Sequence, residues 1–152
     1  MTALHGIHHL ALFTADMDET IRFWTNVLKA KLVRAAQDEG DPGTRHYYFD
    51  VGGSLVAFFH FPVQDRESLN FGWLHHLSLK VKSVEALKAW QNHIASFHVP
   101  VSDVKDRDFR KCIVLHDPNG ILVELAVTTR KFTEKDLKLD PKPVLALKEI
   151  LK

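Results

Sequence analysis

Residues Gly6 to Thr14 alternate apolar and polar side chains, the period of a strand that covers one face. Asp16-Met17-Asp18-Glu19 follows, an N-cap residue with a carboxylate three positions on. Ile21, Trp24, Val27 and Leu28 then recur at helical spacing. Lys31 to Ala36, Thr44 to Asp50 and Ser54 to Phe61 read as strands. Their turns lie at Asp38-Glu39-Gly40-Asp41-Pro42-Gly43 and at Gly52-Gly53. The order then starts again. Leu74 to Val81 is a strand, Ser83 a cap, and Leu87, Trp90, Gln91 and Ile94 mark a helix. Val101 to Lys105, Arg110 to His116 and Ile121 to Val127 are strands, the last two joined through Asp117-Pro118-Asn119-Gly120. Beyond Thr128 the pattern changes, and Pro143 to Leu151 reads as an amphipathic terminal helix.

The two runs are copies. Displaced by 67 residues, His8-His9-Leu10-Ala11-Leu12 falls on His75-His76-Leu77-Ser78-Leu79. Asp50-Val51-Gly52-Gly53-Ser54-Leu55-Val56-Ala57 falls at the same offset on Asp117-Pro118-Asn119-Gly120-Ile121-Leu122-Val123-Glu124. Two matches at one displacement define a repeated supersecondary unit. The expected architecture is α+β, two βαβββ modules at about 4–66 and 70–130, in a single domain of 1–152 with a tail at 131–152.

Strand parity sorts the candidate chemistry. In Leu74 to Val81 one face carries His75, Leu77, Leu79 and Val81, which the module's helix must cover. His76, Ser78 and Lys80 face the other way. By the repeat, His9 shares its face with Ala11 and Phe13. In the last strand Glu124 sits between Leu122 and Ala126, opposite a uniformly apolar face. A carboxylate buried there requires a partner or a metal. A strand histidine taken singly is an ordinary hydrogen-bonded residue. Repeat, parity and Glu124 together single out His9, His76 and Glu124 as a two-histidine, one-carboxylate metal set. Such a set suits iron(II), with manganese, zinc and nickel as alternatives. Ala57 holds the fourth symmetry-related position. Phe13, Phe59, Phe61 and Leu122 share the ligand parity and are the candidate lining of an apolar substrate pocket, or plain core. Lys105, Arg107, Arg110 and Lys111 form a basic cluster, read as a solvated loop or as a receptor for a carboxylate or phosphonate.

Composition narrows the classes. Lys+Arg 20 against Asp+Glu 19 leaves a net charge of +1, with no global field to draw in nucleic acid or an acidic membrane. No apolar run approaches a membrane span, and Met1 to His5 carries no charged leader pattern, so a cytoplasmic protein is expected. The single Cys112 excludes an intrachain disulfide framework and a thiolate-rich zinc site. The ten histidines are the compositional signal for metal or acid–base chemistry.

With these residues in hand, the chain resembles the vicinal oxygen chelate superfamily of glyoxalase I, extradiol ring-cleaving dioxygenases, and fosfomycin and bleomycin resistance proteins. The resemblance rests on Ile7 to Leu12 with Phe23-Trp24, on Leu74 to Leu79, and on the Asp117 to Gly120 turn ahead of Glu124. It implies paired βαβββ modules whose curved sheets form a cleft around a divalent metal, with His9, His76 and Glu124 at the ligand positions. Ala57 stands where glyoxalase I is expected to carry a glutamate, which argues against that activity. Val114 stands where the ring-cleaving signature places a tyrosine, and Lys105, Asp106 and Arg107 fill its histidine window. His116, Tyr47 and Tyr48 are the available substitutes for an acid–base group.

The expected function is a metal-dependent enzyme like the ring-cleaving dioxygenases, acting on a small chelating, aromatic substrate. The alternatives are a redox-neutral lyase, epimerase or thiol transferase, and a metal-free binding protein. A homodimer is expected, with the ligands supplied within one chain or across two.

Overall fold

The computed structural model describes residues 6–37, 40–41, 43–61, 75–133 and 135–136. The terminal helix expected at Pro143 to Leu151 lies outside the described residues. Strands β1 (His9–Phe13), β2 (Lys31–Gln37), β3 (Arg45–Asp50) and β4 (Leu55–His60) form one sheet, in the order β1-β4-β3-β2. Strands β5 (His76–Lys80), β6 (Lys105–Asp106), β7 (Arg110–His116) and β8 (Leu122–Thr128) form a second, in the order β5-β8-β7-β6. In each sheet the first strand pairs parallel to the last and the others run antiparallel. The internal repeat is thus a repeat of topology.

Helix α1 (Met17–Arg22) starts where Asp16 accepts a hydrogen bond from the Glu19 amide at 2.9 Å. Helix α2 (Val84–Ala95) starts where Ser83 accepts from the Ala86 amide at 3.2 Å. Of the helical spacing predicted from Ile21 to Leu28 only Ile21 and Arg22 are α-helical, because Phe23–Val27 winds as a π-turn. The Leu28 amide reaches back five residues to the Phe23 carbonyl at 3.2 Å. That wider turn brings Phe23, Trp24, Val27 and Leu28 all into the core. The strand expected over Val101 to Lys105 shrinks to the two residues of β6. Val101 contributes only an isolated bridge to Leu115.

One core serves both modules. Phe49, Val56 and Phe58 of the first sheet join Ile113, Leu115, Val123 and Leu125 of the second, with Trp24, Leu87 and Ile94 from the helical segments. Burial on this scale is the main term holding the modules together. A polar seam crosses the same boundary. The Thr14 hydroxyl donates to Asn119 Oδ1 at 2.8 Å, and Asn119 Nδ2 donates to Thr20 Oγ1 at 3.0 Å. Trp24 Nε1 donates to Asp117 Oδ2 at 3.3 Å.

The shared core has a consequence for the site. Residues paired across adjacent strands lie on one face of a sheet. His9, Ala11 and Phe13 pair with Leu55, Ala57 and Phe59, whereas the core takes Val56 and Phe58. Ser78 pairs with Glu124, whereas the core takes Val123 and Leu125. Each sheet therefore turns its helix-covered face to the common core and its histidine-bearing face away from it.

Candidate metal centre

The second sheet builds a cavity of about 460 Å³ lined by His76, Lys105, Arg107, Arg110, Cys112, Val114, Leu122 and Glu124. Register explains the set. His76 pairs with Leu122, Ser78 with Glu124, and Glu124 with Val114, so these side chains stand on one face. Glu124 is buried at 4% exposure. The Ser78 hydroxyl donates to its Oε1 at 2.7 Å. Arg110 Nε donates to Oε1 at 3.1 Å, and Arg110 Nη2 to Oε2 at 3.3 Å. Burial alone raises the Glu124 pKa, but Ser78, Cys112 and Arg110 outweigh it and hold the carboxyl below the usual glutamate value. Burial pushes the neighbouring Cys112 thiol up, and Glu124 adds to the shift. The Glu124 carboxyl is thus held toward its ionised form and the Cys112 thiol toward its neutral form.

The first sheet carries the other half. His9 lies beside Tyr48, with ring centroids 6.1 Å apart, and Tyr48 lies 6.1 Å from His46. His46 packs against Phe59 at 5.3 Å, and Phe13 against Phe61 at 5.5 Å. Arg34 sits over the Tyr48 ring at 5.6 Å. Three of the four expected pocket residues, Phe13, Phe59 and Phe61, therefore accompany His9, while Leu122 accompanies His76 and Glu124. The structure brings His76 and Glu124 into one cavity, and His9 does not line it. Among the described residues no group of three His, Cys, Asp or Glu side chains stands close enough to hold a metal ion.

Of the basic cluster, Lys105, Arg107 and Arg110 line the cavity. Lys111 instead pairs with Asp106 at 3.6 Å. Ser78, as a support for Glu124, escaped the sequence reading, although its place two residues after His76 on the ligand face was the available signal. Val114 lines the cavity at the position where the resemblance expects tyrosine. Among the described residues no helix is long and apolar enough to cross a membrane.

Two repeated βαβββ modules, each presenting a histidine on the face of a mixed sheet turned from the core, are the architecture of one superfamily. The chain belongs to the glyoxalase/bleomycin resistance protein/dioxygenase superfamily, whose family model matches residues 6–125. It is 31% identical over 93 residues to MhqE of Bacillus subtilis strain 168, whose name marks it as a candidate ring-cleaving dioxygenase. That match covers 59% of this chain and 30% of MhqE, so the chain spans about a third of that relative's length. A glyoxalase/bleomycin resistance/dioxygenase domain from Frankia sp. EAN1pec superposes with a TM-score of 0.72 at 19% identity, over 83% of this chain and 99% of that one. The fosfomycin resistance protein FosX of Listeria monocytogenes, in a complex with Mn(II), superposes with a TM-score of 0.65 at 19% identity, over 89% and 99% of the two chains.

Proposed function

We propose that this protein is a metal-dependent enzyme of the ring-cleaving dioxygenase type, with His76 and Glu124 of one chain and His9 of a second copy as ligands. The observation that carries the reading is that His76 and a buried Glu124 line one cavity. An imidazole and a carboxylate are hard and borderline donors that suit iron(II), manganese, zinc or nickel. They amount to two thirds of a facial set. A homodimer supplies the rest, because each sheet's ligand face looks away from the chain's own core. Among the described residues the first strand of each sheet is also an edge with one neighbour. Joining a β1 edge to a partner's β5 edge sets His9 opposite His76 and Glu124 and encloses a cleft between the two faces.

In that cleft the chain's own residues divide the work. Glu124 and the two histidines orient the cation and leave positions for a chelating substrate. Phe13, Phe59 and Phe61 offer flat apolar contact for an aromatic ring, and Leu122 closes the opposite wall. Tyr48 and His46, beside His9, stand where a proton can be held or accepted. Bound iron(II) supplies Lewis acidity toward vicinal oxygens and the electrons for reaction with dioxygen. A redox-neutral reaction of the same cleft is favoured by one observation, Val114 in place of the ring-cleaving tyrosine.

Protein purified anaerobically is expected to hold about one divalent metal per chain by elemental analysis, and His76→Ala almost none. Oxygen uptake with catechol-like substrates after iron(II) loading separates the readings. Uptake that depends on iron and on His76 supports ring cleavage. Turnover with manganese or zinc and no uptake assigns the redox-neutral chemistry. Absence of metal binding in the wild type overturns the metalloenzyme.

A further inference from the structure

We propose that the segment just past the second module is a latch that holds the β6–β7 hairpin against the second sheet's cavity, with Arg130 as the latch residue. The device does not depend on which reaction the cavity supports.

The hairpin is the movable wall of that cavity. Lys105 of β6, Arg107 of the turn, and Arg110 and Cys112 of β7 line one side, while His76, Leu122 and Glu124 line it from β5 and β8. β6 is the edge of its sheet, and two pairs join it to β7, Lys105 with Cys112 and Asp106 with Lys111. Both β6 residues are exposed. An edge with so few pairs and no buried side chain opens locally at little cost while the rest of the sheet stays folded. The turn adds a cost of its own. The Arg107 amide donates to the Arg110 carbonyl at 2.8 Å across Asp108 and Phe109, and Asp108 has φ +61°. That is left-handed backbone, which a residue with a Cβ adopts only at a cost.

The offset comes from residues beyond β8, outside the repeat. The Thr129 amide donates to the Phe109 carbonyl at 2.9 Å, and the Thr129 hydroxyl to the Asp108 carbonyl at 3.2 Å. Arg130 donates from Nε to Asp108 Oδ1 at 3.2 Å and from Nη2 to Asp108 Oδ2. The same guanidinium holds Asp136, from Nη2 to Oδ1 at 2.7 Å and from Nη1 to Oδ2 at 3.1 Å. Phe132 lies on Phe109 with ring centroids 4.7 Å apart, and the Arg110 guanidinium carbon lies 4.9 Å from the same Phe109 ring. One side chain thus ties the strained turn to the chain that follows the module. With the latch fastened, Lys105 and Arg107 stay on the cavity and Cys112 is shielded. With it released, the hairpin lifts and a small molecule enters from the sheet edge.

Cys112 reports the opening directly, because it is the single cysteine, it lines the cavity and it is 1% exposed. The test is the rate of Cys112 alkylation by iodoacetamide, an uncharged reagent, in the folded full-length chain at a series of low urea concentrations. Arg130→Gln is expected to label roughly fivefold faster than wild type, the scale of an exposed ion-pair network lost. Phe132→Ala removes only the stacking on Phe109 and should label about threefold faster. Asp108→Gly added to Arg130→Gln should recover part of the protection, because glycine adopts the turn's φ freely. The labelling rate should hardly change with low urea, the mark of a local opening that exposes little surface. The latch is overturned if Arg130→Gln and Phe132→Ala both label at the wild-type rate, or if glycine restores nothing. It is also overturned if the rate in every chain climbs with urea as steeply as global unfolding, since Cys112 is then reached only when the whole domain unfolds.

Discussion

Asp117→Ala is expected to cost about 4 kcal/mol of folding stability, a fall in Tm of roughly 10 °C, measured by denaturant and thermal unfolding. Asp117 is 5% exposed and lies in the turn between β7 and β8. Its Oδ1 accepts from the Asn119 amide at 2.8 Å and the Ile121 amide at 2.9 Å. Its Oδ2 accepts from Trp24 Nε1 and from Asn119 Nδ2. Alanine strands these donors, and stranding a buried donor costs more than the bond itself contributed. Trp24→Phe removes one donor and keeps most of the packing, so it should cost only about 1–2 kcal/mol. The two changes should be less than additive, because each breaks the same bond.

The pH dependence of that loss has a definite sign. Burial pushes the Asp117 pKa above the usual aspartate value, against the hydrogen bonds from Ile121, Asn119 and Trp24. The folded pKa then exceeds the unfolded one, and the native state binds more protons between the two. This group's stabilisation is full below the unfolded pKa and declines as pH rises through the folded pKa. The stability gap between wild type and Asp117→Ala should therefore be widest in acid and narrow toward neutrality.

The sequence made the topology legible because its signals are duplicated. His8-His9 and His75-His76, and the two turns ahead of Ser54 and Ile121, recur at one offset, so each module checks the other. Alternation also assigned the faces correctly: Val123 and Leu125 enter the core, and Glu124 stands with Leu122 and Ala126 on the other side. The π-turn at Phe23–Val27 was not legible, since the spacing of Trp24, Val27 and Leu28 satisfies an α-helix equally well. The short β6 was missed for a different reason. Val101 and Val104 pack against the core with no more strand pairing than Val101's isolated bridge, and apolar content alone does not distinguish such packing from a strand. Arg110 was visible as part of a basic cluster, but parity along β7 does not reveal that its fork closes on Glu124 fourteen residues on. That His76 and Glu124 share a cavity which His9 does not line was also hidden, because parity fixes a face and not the face opposite to it.

Chains carrying His9→Ala and chains carrying Glu124→Gln should each fail to bind metal alone, yet regain binding when unfolded together and refolded as a mixture. The argument is one of symmetry. In the proposed two-fold dimer each cleft would take His9 from one copy and His76 with Glu124 from the other. A mixed dimer gathers both substitutions into one cleft and leaves the second intact. Random reassortment of equal amounts makes about half the dimers mixed, each with one of its two clefts whole, so about a quarter of wild-type metal is expected. A site built within one chain gives a different result, since every chain in the mixture carries a damaged set and no pairing repairs it. Recovery of bound Mn(II), read by paramagnetic resonance on refolded mixtures across a range of ratios, should peak at equal proportions. A flat line at zero across all ratios, with wild type refolded in parallel and fully loaded, would put His9 and Glu124 in a site of one chain. The second-copy arrangement would then be wrong even if His76 and Glu124 hold the metal. The orientation of the two ligand faces, each turned from the common core, is the physical reason to expect the peak.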